Sequence, residues 1–470
     1  MTDPLSMPWL EAAIATPLVG SLAVGRLRDP YRAGRWGVRL TGLTMAFAVV
    51  AGFAFASGAP RPTGAWDVQG RLFGARPFAL DELNAPLLPV VALLYVLTAV
   101  ATGRIKMRRL SVPWLLASEG LQLAAFGCTE PWVLIGLLAA GTVPPVVELV
   151  TAGRTPRVYL LHMGLFVGLL ILGWSFVPRL AEGARPETSW AVVPLLLAVL
   201  LRCGVVPAHC WITDWIEHAT FGRGVLFVAP LTGVYAAIRL VIPMAPDWAL
   251  ETIGWVSLGT AVYAAGMATI QREARRFFAF LFLSHASLVL VGLELHTGIS
   301  LTGSLWLWSS VVLSLGGLGL TLRALEARVG RLPMTHHLGL YDHSPALAVC
   351  FLLTGLASVG FPGTAGYVAA EMLVGGAVEA NLLVGLGVVA AAALNGIAVL
   401  RAYFLLFAGP PNGASVPLGI TFRERFAVLT LTALIVGGGL VPQPGVASWH
   451  RAAERILQER EVHLTSGGAR

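Results

Sequence analysis

The residues that could do chemistry crowd into Leu197–Asp214, which reads LAVLLRCGVVPAHCWITD. Arg202 interrupts an apolar run, Gly204 and Pro207 break it, and His209 and Asp214 follow at once. A charge and a helix break together at membrane depth are costly, because lipid satisfies neither the ion nor the freed backbone groups. Such a feature must face protein or a water-filled cavity, and its default reading is an ion or proton path. Arginine keeps its proton in proteins, so Arg202 can hold a fixed positive charge but cannot relay a proton. His209 can, since imidazole titrates near neutral pH. The structural alternatives are an arginine snorkelling from a helix end and a histidine that bonds the broken backbone. Asp214, with Glu217 and His218 behind it, marks either the mouth of the path or a solvated loop.

A second stretch echoes the first. LASVGFPGTAGYVAAE is again apolar, is broken at Pro362 and Gly363, and closes on Glu371. A carboxylate there can take and release a proton, or can sit against the positive end of a half-helix. His285 lies in the middle of an apolar run, where a proton relay and a helix-bridging hydrogen bond are equally good readings. Glu119 and Glu148 are further buried-acid candidates, with Glu148 nearer a span end, as is His162. The cysteines, Cys128, Cys203, Cys210 and Cys350, stand in apolar surroundings and read as small buried hydrophobes. Cys203, His209 and Cys210 do not have zinc-ligand spacing. There is no phosphate loop, dinucleotide fingerprint or nucleophile elbow, so neither an enzyme nor a cofactor is expected.

These residues must be positioned by membrane helices. The chain has 470 residues, 56% hydrophobic and only 12% charged, with mean hydropathy +0.76. Soluble domains carry roughly 25% charged residues. The pattern predicts an all-α polytopic membrane protein of about 14 spans, each near the ~20 residues a span needs. The first falls at 8–25, the seventh at 190–207, the eighth at 224–243 and the twelfth at 345–377. The N-terminus lacks a basic region and a cleavage site, so the first span is expected to be retained. Loops after odd-numbered spans hold Arg26, Arg28, Arg32 and Arg35; Arg104, Lys106, Arg108 and Arg109; Arg154 and Arg157; Arg272, Arg275 and Arg276; and Arg323, Arg328 and Arg331. The positive-inside rule puts those loops in the cytoplasm and both termini in the periplasm of a bacterial inner membrane. The net charge of +7 therefore speaks for orientation, not for nucleic acid.

The two breaks are five spans apart, which is the sign of inverted repeats around a midplane site, with the seventh and twelfth helices discontinuous. The expected division of a single membrane domain, 1–470, is N-terminal helices over 1–110, a first repeat over 111–243, a second over 253–407, and a C-terminal helix with tail over 408–470. The tail Trp449–Glu461 looks amphipathic and is expected to lie along the membrane or on a partner.

These stretches resemble a family. RCGVVPAHCWITDWIEHA is similar to the seventh-helix signature of the antiporter-like subunits of respiratory complex I and of Mrp antiporters. REARRFFAFLFLSHASLVLVG resembles a further helix of that superfamily, and GLASVGFPGTAGYVAAEMLV resembles its broken twelfth helix. The resemblance covers about residues 80–410. Within the superfamily, HLGLYDHSP, CFLLTGLASVGFPGTAGYVAAE, LNGIAVLRAYFLLFAG and LTGSLWLWSSVVLSLGGLGLTLRALEARVG are most similar to the DabB family of inorganic carbon accumulation complexes. That resemblance implies a proton or sodium gradient that energises uptake of CO2 or bicarbonate. It also implies a DabA-like partner, zinc-containing and similar to carbonic anhydrase.

The chain departs from the superfamily pattern in its charges. Where relatives carry the seventh-helix lysine, this chain has Arg202. The fifth-helix glutamate falls around Ala139 and is missing. GVLFVAPLTG lacks the eighth-helix lysine or histidine, and LWLWSSVVLSLGG lacks the eleventh-span lysine. Lys106, the single lysine, lies in a loop. Three readings follow: an ion-conducting subunit of a carbon pump; an antiporter-like subunit of a complex I-type oxidoreductase, membrane hydrogenase or Mrp antiporter; and a scaffold that conducts nothing.

Overall fold

In a computed structural model of the chain, residues 4–60, 62–63, 66–102, 111–181, 192–228, 231–295, 297–410 and 419–468 are described. The basic loop around Lys106 lies outside them. Among the described residues the regular elements are helices, with two isolated bridges, Phe78–Cys128 and Glu273–Pro333.

Two compact units emerge, 1–153 and 154–470, so the division falls inside the stretch expected to be the first repeat. The first unit contains α1 (Trp9–Gly25), α2 (Pro30–Ala56), α3 (Val68–Phe73), α4 (Asn84–Val100), α5 (Val112–Gly127), α6 (Pro131–Gly141) and α7 (Val143–Thr151). Its helices approach closely where glycines allow it: a methyl on Gly120 would meet Leu18, and one on Gly37 would meet Val112. Small residues at helix contacts are how membrane helices gain packing without a hydrophobic driving force.

The second unit begins with α8 (Arg157–Ala181), α9 (Val193–Cys203), α10 (Cys210–His218), α11 (Phe221–Val228) and α12 (Thr232–Ala236). It continues with α13 (Asp247–Ile270), α14 (Ala274–Glu294), α15 (Gly298–Val329), α16 (Pro345–Ser358), α17 (Ala365–Ala380), α18 (Leu382–Phe407), α19 (Phe422–Leu440) and α20 (Gln443–Gly468). α14 is buried on every side from Phe277 to Glu294, which makes it the axis of this unit.

Each expected apolar run coincides with a helix or an interrupted pair. Among the described residues, eight helical stretches are long and apolar enough to cross a membrane, Phe221–Val241 taken as one of them, or nine if the bent pair α19–α20 counts as one span. Shorter apolar helices, α1, α4, α9 and α16, account for other runs. One run differs from expectation. The eighth, 224–243, is not continuous. α11 stops at Val228, Leu231 takes a left-handed φ of 53°, and a π turn over Ala237–Val241 follows α12. Both features mark local departures from the i→i−4 ladder.

The ends of the second unit differ in charge. Where α13 turns into α14, Arg275 holds Glu326 through two bonds of 2.8 and 2.9 Å and donates to the carbonyls of Glu217 and Ala219. Arg276 pairs with Glu217 at 2.8 Å, and Arg328 with Glu424 at 2.6 Å. At the other end of the α13–α14 hairpin lie Asp247 and Glu294. There α20 turns by 80° from α19 and buries Trp449, Ala452, Ala453, Ile456 and Arg460. Arg460 reaches Asp247, and His450 reaches Thr302 at 3.2 Å. The amphipathic tail thus packs on its own chain.

Candidate functional site

The first break is built by Gly204. Its φ of +73° ends α9 in the left-handed conformation, and the amides of Gly204 and Val205 cap the carbonyls of Leu201 and Leu200. A methyl at Gly204 would overlap the end of Ile212. The Val206–Pro207 peptide is cis, and α10 starts at Cys210. The amide of Val206, freed by the break, donates to the Thr260 hydroxyl on α13 at 3.1 Å.

Arg202 sits on the last turn of α9 and is only 7% exposed. Its guanidinium donates to Thr232 Oγ1 at 2.7 Å. The faces of Phe227 and Trp211 lie 4.6 and 5.1 Å from its Cζ. Trp211 is held in turn by its Nε1 donating to the Leu201 carbonyl at 2.9 Å. No carboxylate lies within ion-pair distance of Arg202 among the described residues. A cavity of about 10 Å³ adjoins it, lined by Cys203, Trp211, Ile212, Val228 and Leu231. That is about the size of one water. The buried cation is therefore held by a hydroxyl and two aromatic rings. Aromatic faces attract a guanidinium most where water is excluded.

Thr232 matters here because it opens α12 just past the interruption of the eighth run. Arg202 ties two broken segments together. Thr232 itself carried no signal, because its role depends on a neighbour 30 residues away.

His209 precedes α10 and is half-buried. Its ring packs against Tyr263 on α13 and Phe280 on α14, with centroids 5.7 and 6.1 Å apart, and its Nδ1 meets no hydrogen-bond partner. Asp214 pairs with His218 at 3.1 Å near the arginine-rich end. Cys210 is exposed, unlike the other three cysteines and contrary to the expectation that all four are buried.

The second break runs from the end of α16 at Ser358 to Thr364, which caps α17 through the amide of Tyr367. Gly360 and Gly363 supply left-handed turns at φ +85° and +83°. His285, on α14, is 1% exposed and reaches the α16 side of this break. Its Nδ1 lies 2.7 Å from the Leu281 carbonyl and its Nε2 lies 2.8 Å from the Ser358 carbonyl. Ser358 is the last residue of α16, so its carbonyl is one of those a broken helix leaves without an intrahelical donor. Glu371 is not part of this cluster. It lies on the exposed face of α17, away from the buried face formed by Ala365, Gly366, Ala369 and Leu373. Glu119 and Glu148 lie in the first unit. Glu119 is fully buried on α5 with both carboxylate oxygens lacking a hydrogen-bond partner, and Glu148 is buried on α7. His162 lies half-buried on α8, with its Nδ1 2.8 Å from the Val158 carbonyl.

The α13–α14 hairpin therefore touches both breaks: the first through Thr260, Tyr263 and Phe280, the second through His285. Residues 132–395, more than half the chain and including both breaks, match the family model described as NADH:quinone oxidoreductase/Mrp antiporter, transmembrane. The chain belongs to that family. Subunit 13 of the NADH-quinone oxidoreductase of Thermus thermophilus is 26% identical over 83% of this chain and 86% of its own length. Chain 4 of the NAD(P)H-quinone oxidoreductase of Acaryochloris marina is 25% identical over 94% and 90%. Among solved structures, a chain of Thermus thermophilus respiratory complex I with bound NADH superposes with a TM-score of 0.83 at 21% identity, over 96% of this chain and 99% of that one. A chain of the Mrp complex from Dietzia sp. gives the same TM-score at 19% identity, over 98% and 100%. The protein is a multi-pass antiporter-like membrane subunit.

Proposed function

We propose that this subunit conducts protons within a multi-subunit membrane complex. In this reading Arg202 is a fixed charge, and His209 and His285 take up and release protons at the two breaks. The observation that carries the reading is the pair of carbonyls on either side of His285. A neutral imidazole has one ring N–H, so it can donate to only one of two carbonyls; the imidazolium donates to both. Each proton that arrives at His285 thus lets it donate to the second of these two carbonyls, and each that leaves breaks one of the two bonds. Asp214 stands at the mouth on the arginine-rich side. Glu119 and Glu148 are the acids available in the first unit, and Glu371, exposed on α17, stays outside this path in our reading.

The missing family charges give this proposal its particular form. A buried arginine without a carboxylate cannot run a lysine–glutamate exchange, so histidines carry the titration. For the assembly we infer a DabB-like role: the proton or sodium gradient drives uptake of CO2 or bicarbonate through a DabA-like zinc subunit. The sequence stretches named above support it. The extended similarity to quinone oxidoreductase subunits favours a second reading, an antiporter-like subunit of a complex I-type enzyme or Mrp antiporter. In both, the subunit does no covalent chemistry, lies in a bacterial inner membrane, and has both termini on the outer side. Co-expression with a DabA-like partner in a carbonic-anhydrase-deficient host separates the two: growth in air supports the carbon pump, and no growth with both proteins present in the membrane supports the second reading. In the rescued host, His209→Ala is expected to abolish growth; undiminished rescue would remove His209 from the path.

A further inference from the structure

The seam between α13 and α14 holds a row of polar groups that neither break uses. Ser284 donates to the Ala261 carbonyl at 2.9 Å and accepts from Asn395 Nδ2 of α18 at 2.8 Å. Nearer the end where α13 begins and α14 stops, Ser257 and Ser287 lie between the level of Ser284 and that of Glu294. Glu294 is 7% exposed, and Asn395, Ser284, Ser257 and Ser287 are 0% exposed. Asn395 Oδ1, Ser257 Oγ, Ser287 Oγ and Glu294 Oε2 have no hydrogen-bond partner. Some buried hydroxyls of this unit bond back to their own helix, as Thr260 does to Val256, Ser314 to Ser310 and Thr354 to Cys350. Ser257 and Ser287 do not.

Three orphaned polar atoms on α13 and α14, with Asn395 Oδ1 of α18 as a fourth, call for a shared partner, because each left bare costs about 1–3 kcal/mol. The carboxylate is also accommodated by design of the backbone: a methyl on Gly254 would overlap the Glu294 carboxyl group, so only glycine leaves the notch it occupies. The row spans about 15 Å along α14, from Glu294 to Ser284 at ten residues and 1.5 Å each. Ser284 is the chain neighbour of His285, and Thr260 beside Ala261 holds the Val206 amide of the first break. The inner end of the row therefore reaches both breaks.

We propose that the α13–α14 seam is a water-filled half-path to the end of the unit covered by α20, with Glu294 as its proton-binding group. Ionisable groups at this end include Asp247 and Glu251 on α13 and His450, Glu454 and Arg460 on α20, where His450 pairs with Glu454 at 3.3 Å. Glu251 is exposed one turn from Gly254, and Asp247 is paired with Arg460. Glu294 receives no cation of its own from any of these helices. The water in the seam would carry a proton between Glu294 and Ser284. The assignment of a direction to that transfer rests on the proton-conducting function proposed above; the site itself does not.

Infrared spectroscopy of the full-length chain in vesicles of phosphatidylethanolamine and phosphatidylglycerol tests it. A protonated-carboxyl band is expected that titrates with bulk pH, is lost in Glu294→Gln, moves in Glu294→Asp, and shifts within seconds of transfer to D2O. Ser287→Ala is expected to slow that shift by roughly tenfold by breaking the row, and Gly254→Ala to displace the band. A Glu294 band that does not exchange, exchange at wild-type rate in Ser287→Ala, or no Glu294 band at any pH would each overturn the proposal. Proton flux in the same vesicles separates this site from the function above. A chain that carries no current while the band titrates and exchanges would sink the function and leave the site. Normal current with a Glu294 carboxyl closed to D2O would sink the site alone.

Discussion

The two broken helices are closed in opposite ways. At the first, a left-handed glycine ends α9, a buried arginine is clamped by Thr232, Trp211 and Phe227, and Thr260 accepts from the freed Val206 amide. At the second, two glycines turn the chain, and a histidine from α14 reaches the open end of α16. One closure uses a charge that cannot change, the other a group that can. Two broken helices in one unit thus need not do the same work. A permanent cation sets the field, whereas a ring that can bond one carbonyl or two responds to protons.

Substitutions should separate these roles. The largest effect is expected at the second break. His285→Gln keeps a polar group of similar reach but cannot titrate, and should lower pH-driven proton flux in vesicles by roughly 100-fold, the scale of a lost acid–base group. Arg202→Gln comes next. The amide can still reach Thr232 while the charge is gone, and flux should fall by roughly tenfold, with Arg202→Lys recovering most of it. Equal losses in both variants would erase the distinction between a fixed and a titrating closure. Gly204→Ala tests the first closure as a fold element. It forces a methyl into Ile212 at a left-handed φ, and should destabilise the unit by about 1–3 kcal/mol in a denaturant titration. The smallest effect is expected from Cys210→Ser, whose exposed thiol belongs to neither closure; stability and flux should stay at wild-type values.

The breaks themselves were legible in the sequence, because Gly204, Pro207, Pro362 and Gly363 interrupt runs that are otherwise helical. So were the helices, since an apolar run is a local signal. What holds the breaks was not. Thr232, Ser358 and Thr260 are ordinary residues in sequence and gain their roles only from partners on other helices. The departure from helix at Leu231 is easily read through, because the run is apolar on both sides. Glu371 misleads for a related reason: a glutamate beside a helix break reads as part of it, but its position on the α17 surface turns it outward. Glu294 hides at the end of an apolar helix, where a carboxylate reads as a solvated terminus. Only Gly254, 40 residues earlier in the chain, makes room for it inside.

The account rests on His285 as the titrating bridge between α14 and α16. Its most direct test is proton flux, driven by a pH step, across vesicles that hold the full-length chain or its His285→Gln variant at equal density and orientation. Flux lowered by roughly 100-fold in the variant, with its melting temperature unchanged, is the predicted result. Wild-type flux in the variant would contradict it.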